Sequence, residues 1–208
     1  PKPQNPDRVT SIIKMKKHTV LQPKNVVFLE CDIQVKLSPH IFMSKTMAHN
    51  ARRLCILGKH LEVPIIATRH VKNAFGDIEK TIGEVTHEGR KIFDKTQFSM
   101  LTAGPGGVKD HLRGMNRPHV VLYGAETHVC IKQTAIDLLN NGYEVTLVTD
   151  AISSMTQHDR NTGFHSLMQA GCKVTTVQSL VFELMGDAHH PKFKTILKEV
   201  VMQDPVDE

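Results

Sequence analysis

A cysteine stands where a predicted strand gives way to a predicted helix. The apolar run HVVLYGA contains Gly124, and Cys130 follows that glycine by six residues, directly before IKQTAIDLLNNG. A thiol in the first turn of a helix feels the partial positive charge of unpaired backbone N–H groups, which favours the nucleophilic thiolate. The same N–H groups can stabilise an oxyanion. The plainer interpretation of Cys130 is a small buried apolar side chain.

Two further polar residues follow predicted strands. Asp32 ends the run NVVFLECD, and Lys95 stands in FDKTQFSM, just after a weak strand signal at residues 91–93. Ligands bind at the carboxyl ends of parallel strands, so both side chains should lie near Cys130. A carboxylate can accept the thiol proton, and an ammonium can stabilise the negative charge that results. Taken singly, Asp32 could merely cap a loop and Lys95 could lie on the surface.

Predicted strands and helices alternate along the chain. After the first strand, SKTMAHNARRLCILGKHLE has apolar residues at helical spacing, and VPIIATRH is predicted as a second strand. Further on, HVVLYGA, EVTLVTD and KVTTV are strands separated by helices, whereas residues 71–101 are predicted mostly as loop. This alternation predicts an α/β protein, a three-layer α/β/α sandwich with a mainly parallel sheet.

The charge of the 208-residue chain is unevenly distributed. Its formal net charge of +5 falls within residues 1–24, while residues 25–208 are balanced. We therefore predict a basic N-terminal lead-in over residues 1–24 and one globular domain over residues 25–208. The lead-in is alternatively a remnant of mitochondrial targeting. No apolar run approaches the roughly 18 residues of a membrane span, so no membrane partner is predicted.

Four cysteines, at positions 31, 55, 130 and 172, form no CxxC pair. Their wide spacing predicts free thiols in a reducing, cytoplasmic location. The basic lead-in leaves another class open, a nucleic-acid-associated protein such as a ribonuclease, but the balanced remainder and the lack of tryptophan for base stacking disfavour nucleic acid as a partner. A catalytically silent oligomeric scaffold is a further alternative.

Three segments of the sequence resemble the isochorismatase-like cysteine hydrolases. They are ECDIQ around Asp32, KTQFSM from Lys95 and YGAETHVC ending at Cys130. The following QTAIDLLNNGYEVTLVTDAISS and the tail HHPKFK resemble the isochorismatase domain-containing branch. The resemblance covers residues 25–200. It implies the α/β/α fold, a homo-oligomer, and hydrolysis of a small amide-type or related carbonyl substrate.

The resemblance also implies roles for individual residues. Asp32, Lys95 and Cys130 would form a catalytic triad in which Cys130 attacks a carbonyl carbon, yielding a thioester, after Asp32 accepts its proton. The backbone N–H groups of Glu126 and Cys130 would form the oxyanion hole, reached through a cis peptide bond between Ala125 and Glu126.

Four residues near the predicted triad are expected to contact substrate. They are Gln34, Phe98, Thr127 and His128, although Gln34 could instead bond only to backbone. Neither metal nor cofactor is predicted. Nicotinamidases of this superfamily carry an Asp and His metal cluster after the second strand, whereas TRHVKNAFGD has His70 with no aspartate two residues before it and no second histidine nearby. One histidine is not a metal site, since a catalytic zinc normally has three protein ligands. Isochorismatases proper do not rely on a cysteine nucleophile, so their reaction is disfavoured, and the sequence names no substrate.

Overall fold

The computed structural model describes residues 20–204 and residue 206. Most of the predicted basic lead-in, residues 1–19, lies outside the described residues. Leu21 belongs to the last part of that segment, yet it is buried in the core, and its backbone N–H donates to Glu183 at 2.9 Å. The domain boundary at residue 25 stays a prediction.

The described residues form a six-stranded sheet whose neighbouring strands all run parallel. The strand order is β3-β2-β1-β4-β5-β6. This result confirms the predicted α/β class and the parallel sheet. The strands are β1 (Val26–Cys31), β2 (Ile65–His70), β3 (Arg90–Lys95), β4 (His119–Ala125), β5 (Glu144–Ser153) and β6 (Lys173–Thr175).

Helices cover both faces of the sheet and complete the three layers. The first and seventh helices pack on one face, and the fifth and sixth pack on the other. Within the described residues, no helix combines the length and apolar character needed to cross a membrane. The helices are α1 (Ser44–Leu61), α2 (Lys72–Phe75), α3 (Lys80–Gly83), α4 (Val108–Gly114), α5 (Lys132–Asn140), α6 (Gln157–Gln169), α7 (Val177–Met185) and α8 (Phe193–Ile196).

The two central strands are buried along their whole length. Every residue of β1 and of β4 is buried, because helices cover both faces and these strands have neighbours on both sides. β3 differs because it lies at the edge of the sheet and most of its side chains are partly or fully exposed. The sequence of β3 mixes polar and apolar residues for this reason, and it therefore predicted the strand only weakly. The strand is longer than predicted and ends at Lys95 itself rather than before it.

β1 and β4 approach each other closely at Gly124. This residue has a φ of 121°, and a Cβ atom placed there would lie 2.0 Å from the carbonyl oxygen of Cys31. Only glycine adopts this conformation readily and leaves room for the neighbouring backbone. The close approach lies one residue before Asp32, so it helps to set the position of that carboxylate.

We predict that Gly124→Ala destabilises the protein by about 3 kcal/mol or more, because the methyl group would force β1 and β4 apart. The matched control is Gly114→Ala, since a Cβ atom there meets nothing within 4 Å, and its effect should stay within about 0.5 kcal/mol. Urea unfolding followed by circular dichroism measures both. Equal midpoints for the two variants would contradict the proposed steric constraint.

Candidate active site

The strand order reverses direction between β1 and β4, and such switch points are where ligands bind in open parallel sheets. Asp32 directly follows β1 and has a φ of 50°. Cys130 lies in a π-helical turn, Thr127–Ile131, that follows β4 and leads into α5. Lys95 ends β3. The chain therefore brings the three residues to one edge of the sheet.

The Lys95 ammonium connects the other two members of this group. Its Nζ lies 2.5 Å from Asp32 Oδ2 and 3.7 Å from Cys130 Sγ. It also donates to the backbone carbonyls of Gln97 at 3.2 Å and Phe98 at 3.0 Å. The side chains of Lys95 and Asp32 are 0% and 1% exposed, and Cys130 is 7% exposed. The structure thus gathers an ammonium, a carboxylate and a thiol in a nearly closed space.

The electrostatic surroundings keep Lys95 charged. Burial alone would lower the pKa of Lys95, but the nearby Cys31, Asp32 and Cys130 side chains outweigh it and raise that pKa above its usual value. The lysine is therefore protonated at neutral pH. A fixed positive charge therefore lies 3.7 Å from Cys130 Sγ.

Two neighbours of Asp32 were missed by sequence reasoning. The Thr68 hydroxyl donates to Asp32 Oδ1 at 2.8 Å, and the Cys31 thiol lies 3.5 Å from Asp32 Oδ2. Thr68 lies within β2, in register with Cys31 on the adjacent strand, and its residue type alone gave no sign of its partner. These contacts orient both carboxylate oxygens.

The turn that carries Cys130 is tied to the loop that follows β3. The Thr134 hydroxyl donates to the Cys130 carbonyl at 2.6 Å and accepts from the Met100 N–H at 2.9 Å. The peptide bond between Ala125 and Glu126 is cis, as the resemblance implied. Thr134 was also missed, because a threonine inside a helical pattern gives no sign that it bonds to a distant loop.

The predicted substrate contacts fall into different environments. Gln34 is 0% exposed; its amide donates to the Gly76 carbonyl at 2.8 Å and accepts from the His70 N–H at 2.7 Å. These bonds correspond to the backbone role that the sequence left open. Phe98, in contrast, is 48% exposed, and its ring stacks on that of His70 with centroids 5.5 Å apart.

The other two predicted contacts lie on the cysteine-bearing turn. Thr127 is fully buried, and its hydroxyl has no hydrogen-bond partner among the described residues. His128 is partly buried, with its Nδ1 3.1 Å from the Ser154 hydroxyl. The turn packs closely on α6, since a Cβ atom at Gly163 would come within 2.8 Å of the Thr127 methyl group.

His70 lies between aromatic rings. Its ring stacks on Phe75 at 6.0 Å as well as on Phe98. Burial, followed by the positive charge of Lys95, lowers the pKa of His70. Across the described residues, no group of three or more His, Cys, Asp or Glu side chains is placed to hold a metal ion.

Two cavities differ in their relation to the triad. One of about 690 Å³ is lined by Pro64, Gly89 and Arg117, which precede β2, β3 and β4, so it opens at the amino ends of the strands. The other, of about 450 Å³, is lined by Lys95, by the adjoining Thr96 and Gln97, and by residues of the loop after β2. Of these two cavities, only the second lies at the carboxyl end of β3, and Lys95 is the one residue of the predicted triad that lines it.

The three-layer fold with its six-stranded parallel sheet is of the isochorismatase-like class. The family model described as Isochorismatase domain matches residues 26–179. The chain belongs to the isochorismatase family of hydrolases.

Two curated relatives and one solved structure illustrate the similarity. Isochorismatase domain-containing protein 2 of Danio rerio is 38% identical over 89% of this chain and 91% of its own length. The secreted isochorismatase effector Isc1 of Phytophthora sojae is 36% identical over 86% and 85%, respectively. A Caenorhabditis elegans structure described as MAR1 ribonuclease superposes with a TM-score of 0.83, at 34% identity over 90% of this chain and 95% of that one.

We predict that acidification destabilises the protein partly through His70. Its folded-state pKa lies below the unfolded value of about 6.5, so the unfolded chain takes up the proton first and stability falls as pH drops through that range. His70→Gln should therefore lose less stability than the parent between pH 7.5 and pH 5. Urea midpoints at several pH values measure this. Parallel pH profiles for the two proteins would refute the assignment, and pH 7.5 to 8.5 is the internal control, because the imidazole is neutral in both states there.

Proposed function

We propose that this hydrolase cleaves a small amide-type or related carbonyl substrate, using Asp32, Lys95 and Cys130 as a catalytic triad. The observation that carries the proposal is the position of the Lys95 ammonium, 2.5 Å from the carboxylate and 3.7 Å from the sulfur. A nucleophile, a proton acceptor and a fixed positive charge are the groups that thiol-dependent acyl transfer requires.

In the proposed first step, Cys130 Sγ attacks the substrate carbonyl carbon and its proton moves to Asp32. Lys95 stabilises the thiolate before attack and holds the carboxylate in place through their hydrogen bond. The tetrahedral intermediate then collapses. Its leaving amine takes the proton back from Asp32, and the acyl group remains on Cys130 as a thioester.

In the second step, water attacks the thioester carbon while Asp32 accepts a proton from it. The C–S bond then breaks, the acid product leaves, and Asp32 returns the proton to Cys130 to restore the thiol. The negative oxygen in both steps would be bound by the backbone N–H groups of Glu126 and Cys130. Two features support this oxyanion hole: the cis bond before Glu126 and the position of Cys130 in the first turn of a helical segment.

The proposed substrate-binding residues differ in the contacts that they can make. Phe98 presents an exposed ring for apolar contact, while His128 and Thr127 lie on the turn that carries the nucleophile. Gln34 would act by fixing the loops after β1 and β2, through its bonds to Gly76 and His70. A screen of small amides, ureido acids and carbamoylated amines for ammonia release would identify the substrate.

Two partner proposals accompany this function. A homo-oligomer is proposed from the resemblance, and sedimentation velocity would test it.

Cleavage of RNA is a second candidate function, because the Caenorhabditis elegans relative is described as a ribonuclease. The discriminating experiment incubates labelled RNA with the parent and with Cys130→Ala at two salt concentrations. Cleavage that weakens at high salt and survives in the variant would favour an RNA-directed function independent of the thiol.

We predict that Cys130→Ala abolishes turnover of any identified substrate, by at least about 10³-fold, while leaving the fold intact. Loss of one sulfur should change stability by about 1 kcal/mol. Cys172→Ala is the matched control, because Cys172 is also 7% exposed but lies outside the triad. Steady-state kinetics and urea unfolding measure both variants. Retained turnover in Cys130→Ala would remove Cys130 as the nucleophile.

A further prediction separates an interacting triad from three residues that are merely adjacent. Iodoacetamide reacts with the thiolate, so the pH midpoint of Cys130 alkylation reports its charge environment. Lys95→Met removes a positive neighbour and should raise that midpoint by about 1 unit or more. Asp32→Asn removes a negative neighbour and should lower it, yet both variants should hydrolyse substrate more slowly.

Lys95→Arg is the control for charge, since it keeps the positive group beside Cys130. Circular dichroism of each variant verifies folding before alkylation, which is followed by mass spectrometry. Shifts of the same sign in Lys95→Met and Asp32→Asn, or none in either, would require the proposed triad to be withdrawn.

A further inference from the structure

A second thiol, that of Cys31, lies beside the triad, and the hydrolytic mechanism gives it no chemical step. Its sulfur is 3.5 Å from Asp32 Oδ2, the same oxygen that receives the Lys95 ammonium at 2.5 Å. That ammonium in turn lies 3.7 Å from Cys130 Sγ. The two sulfurs therefore contact the same buried ion pair.

The backbone also brings the two cysteines to one place. Cys31 ends β1, and Cys130 follows β4, which pairs with β1 in the sheet. The residue opposite Cys31 is Gly124, whose lack of a side chain lets the backbone of β4 approach that of Cys31 closely. The side chain of Cys130 interacts with the Cys31 thiol.

We propose that Cys31 and Cys130 form an oxidisable dithiol, a modification site at which a hydroperoxide converts the pair to a disulfide. Cys130 would react with the oxidant, and Cys31 would resolve the product. The proposal rests on the proposed function in one respect, because both need a reactive thiolate at Cys130.

Accessibility assigns these two roles. Cys130 is 7% exposed and faces the fixed charge of Lys95, whereas Cys31 is 0% exposed. Burial raises the pKa of Cys31 well above its usual value, and its interactions with Cys130 and Asp32 act in the same direction. Cys31 thus stays a protonated thiol, protected from solvent, until a neighbouring sulfur becomes electrophilic.

The chemistry balances with the groups in place. The Cys130 thiol gives its proton to Asp32 and its sulfur attacks one oxygen of the hydroperoxide, so that the O–O bond breaks and sulfenic acid forms on Cys130; the departing alkoxide, or hydroxide from hydrogen peroxide, takes that proton from Asp32 and leaves as alcohol or water. The Cys31 thiol then gives its proton to Asp32 and attacks the Cys130 sulfur. The S–O bond breaks as the S–S bond forms, and the departing hydroxide takes the proton from Asp32 as water. Two thiols are oxidised by two electrons, and the peroxide is reduced.

The remaining two cysteines provide internal controls. Cys55 is buried on the other side of β1, where its thiol lies 3.3 Å from Glu30 Oε2. Burial, then the charge of Glu30, raises the pKa of Cys55 well above its usual value. Cys172 precedes β6, remote in the sheet order from β1. Neither should join a disulfide with Cys130.

Trypsin separates all four cysteines, which makes the test direct. Cleavage after lysine and arginine, except at the Arg117–Pro118 bond, places them in peptides 25–36, 54–59, 114–132 and 161–173. The full chain is treated with a few molar equivalents of hydrogen peroxide, free thiols are blocked with N-ethylmaleimide, and the digest is analysed without reduction. We expect peptide 25–36 linked to peptide 114–132, with the linkage lost on adding dithiothreitol.

Cys31→Ser is the matched variant, because its hydroxyl can still donate to Asp32 but cannot form a disulfide. In this variant peroxide should carry Cys130 to sulfinic acid, a gain of two oxygens that dithiothreitol does not reverse. The proposal is overturned if the parent also yields Cys130 sulfinic acid while Cys31 remains free, or if Cys130 pairs with Cys55 or Cys172. The readout needs no hydrolase substrate, so a linked peptide pair together with retained turnover in Cys130→Ala would remove the hydrolytic role alone.

Discussion

The buried ion pair between Lys95 and Asp32 is the interaction on which this end of the molecule depends. Moving two charges out of water costs several kcal/mol for each ion, and mutual attraction offsets that only when further hydrogen bonds satisfy both groups. Thr68 supplies a donor to the carboxylate, and two backbone carbonyls accept from the ammonium. The pair is therefore a network whose members stabilise one another.

The geometry of the sheet explains why a lysine fills this position. β3 is separated from β1 by β2, and neighbouring strands lie about 4.8 Å apart, so the two strand ends are roughly 10 Å from each other. A long, unbranched side chain with a compact charge can span this gap and place its charge between Asp32 and Cys130. Thr134 then ties the loop after β3 to the cysteine-bearing turn, so this one hydrogen-bonded residue supports the positions of both Cys130 and the Lys95 ammonium.

The amino-acid sequence predicted the fold class, because buried strands have continuous apolar runs. It also predicted that Asp32, Lys95 and Cys130 lie at one edge of the sheet, because the carboxyl ends of parallel strands meet there. It described β3 poorly, since an exposed edge strand lacks that pattern. Thr68 and Thr134 escaped notice for a different reason. Each acts through a hydrogen bond to a residue more than three positions away, and residue type gives no information on such a partner. For Gln34, the sequence left two roles open, and only coordinates reveal the backbone groups around its amide.

The Lys95 ammonium donates hydrogen bonds to the main-chain carbonyl oxygens of Gln97 and Phe98, not to their side chains. A carbonyl oxygen is present whatever residue occupies these positions. The hydrogen bonds of Lys95 therefore do not depend on which side chains stand at these two positions, and one of those side chains, that of Phe98, is 48% exposed. Substitutions at these two positions should leave the buried ion pair intact, which makes this loop a natural starting point for protein engineering.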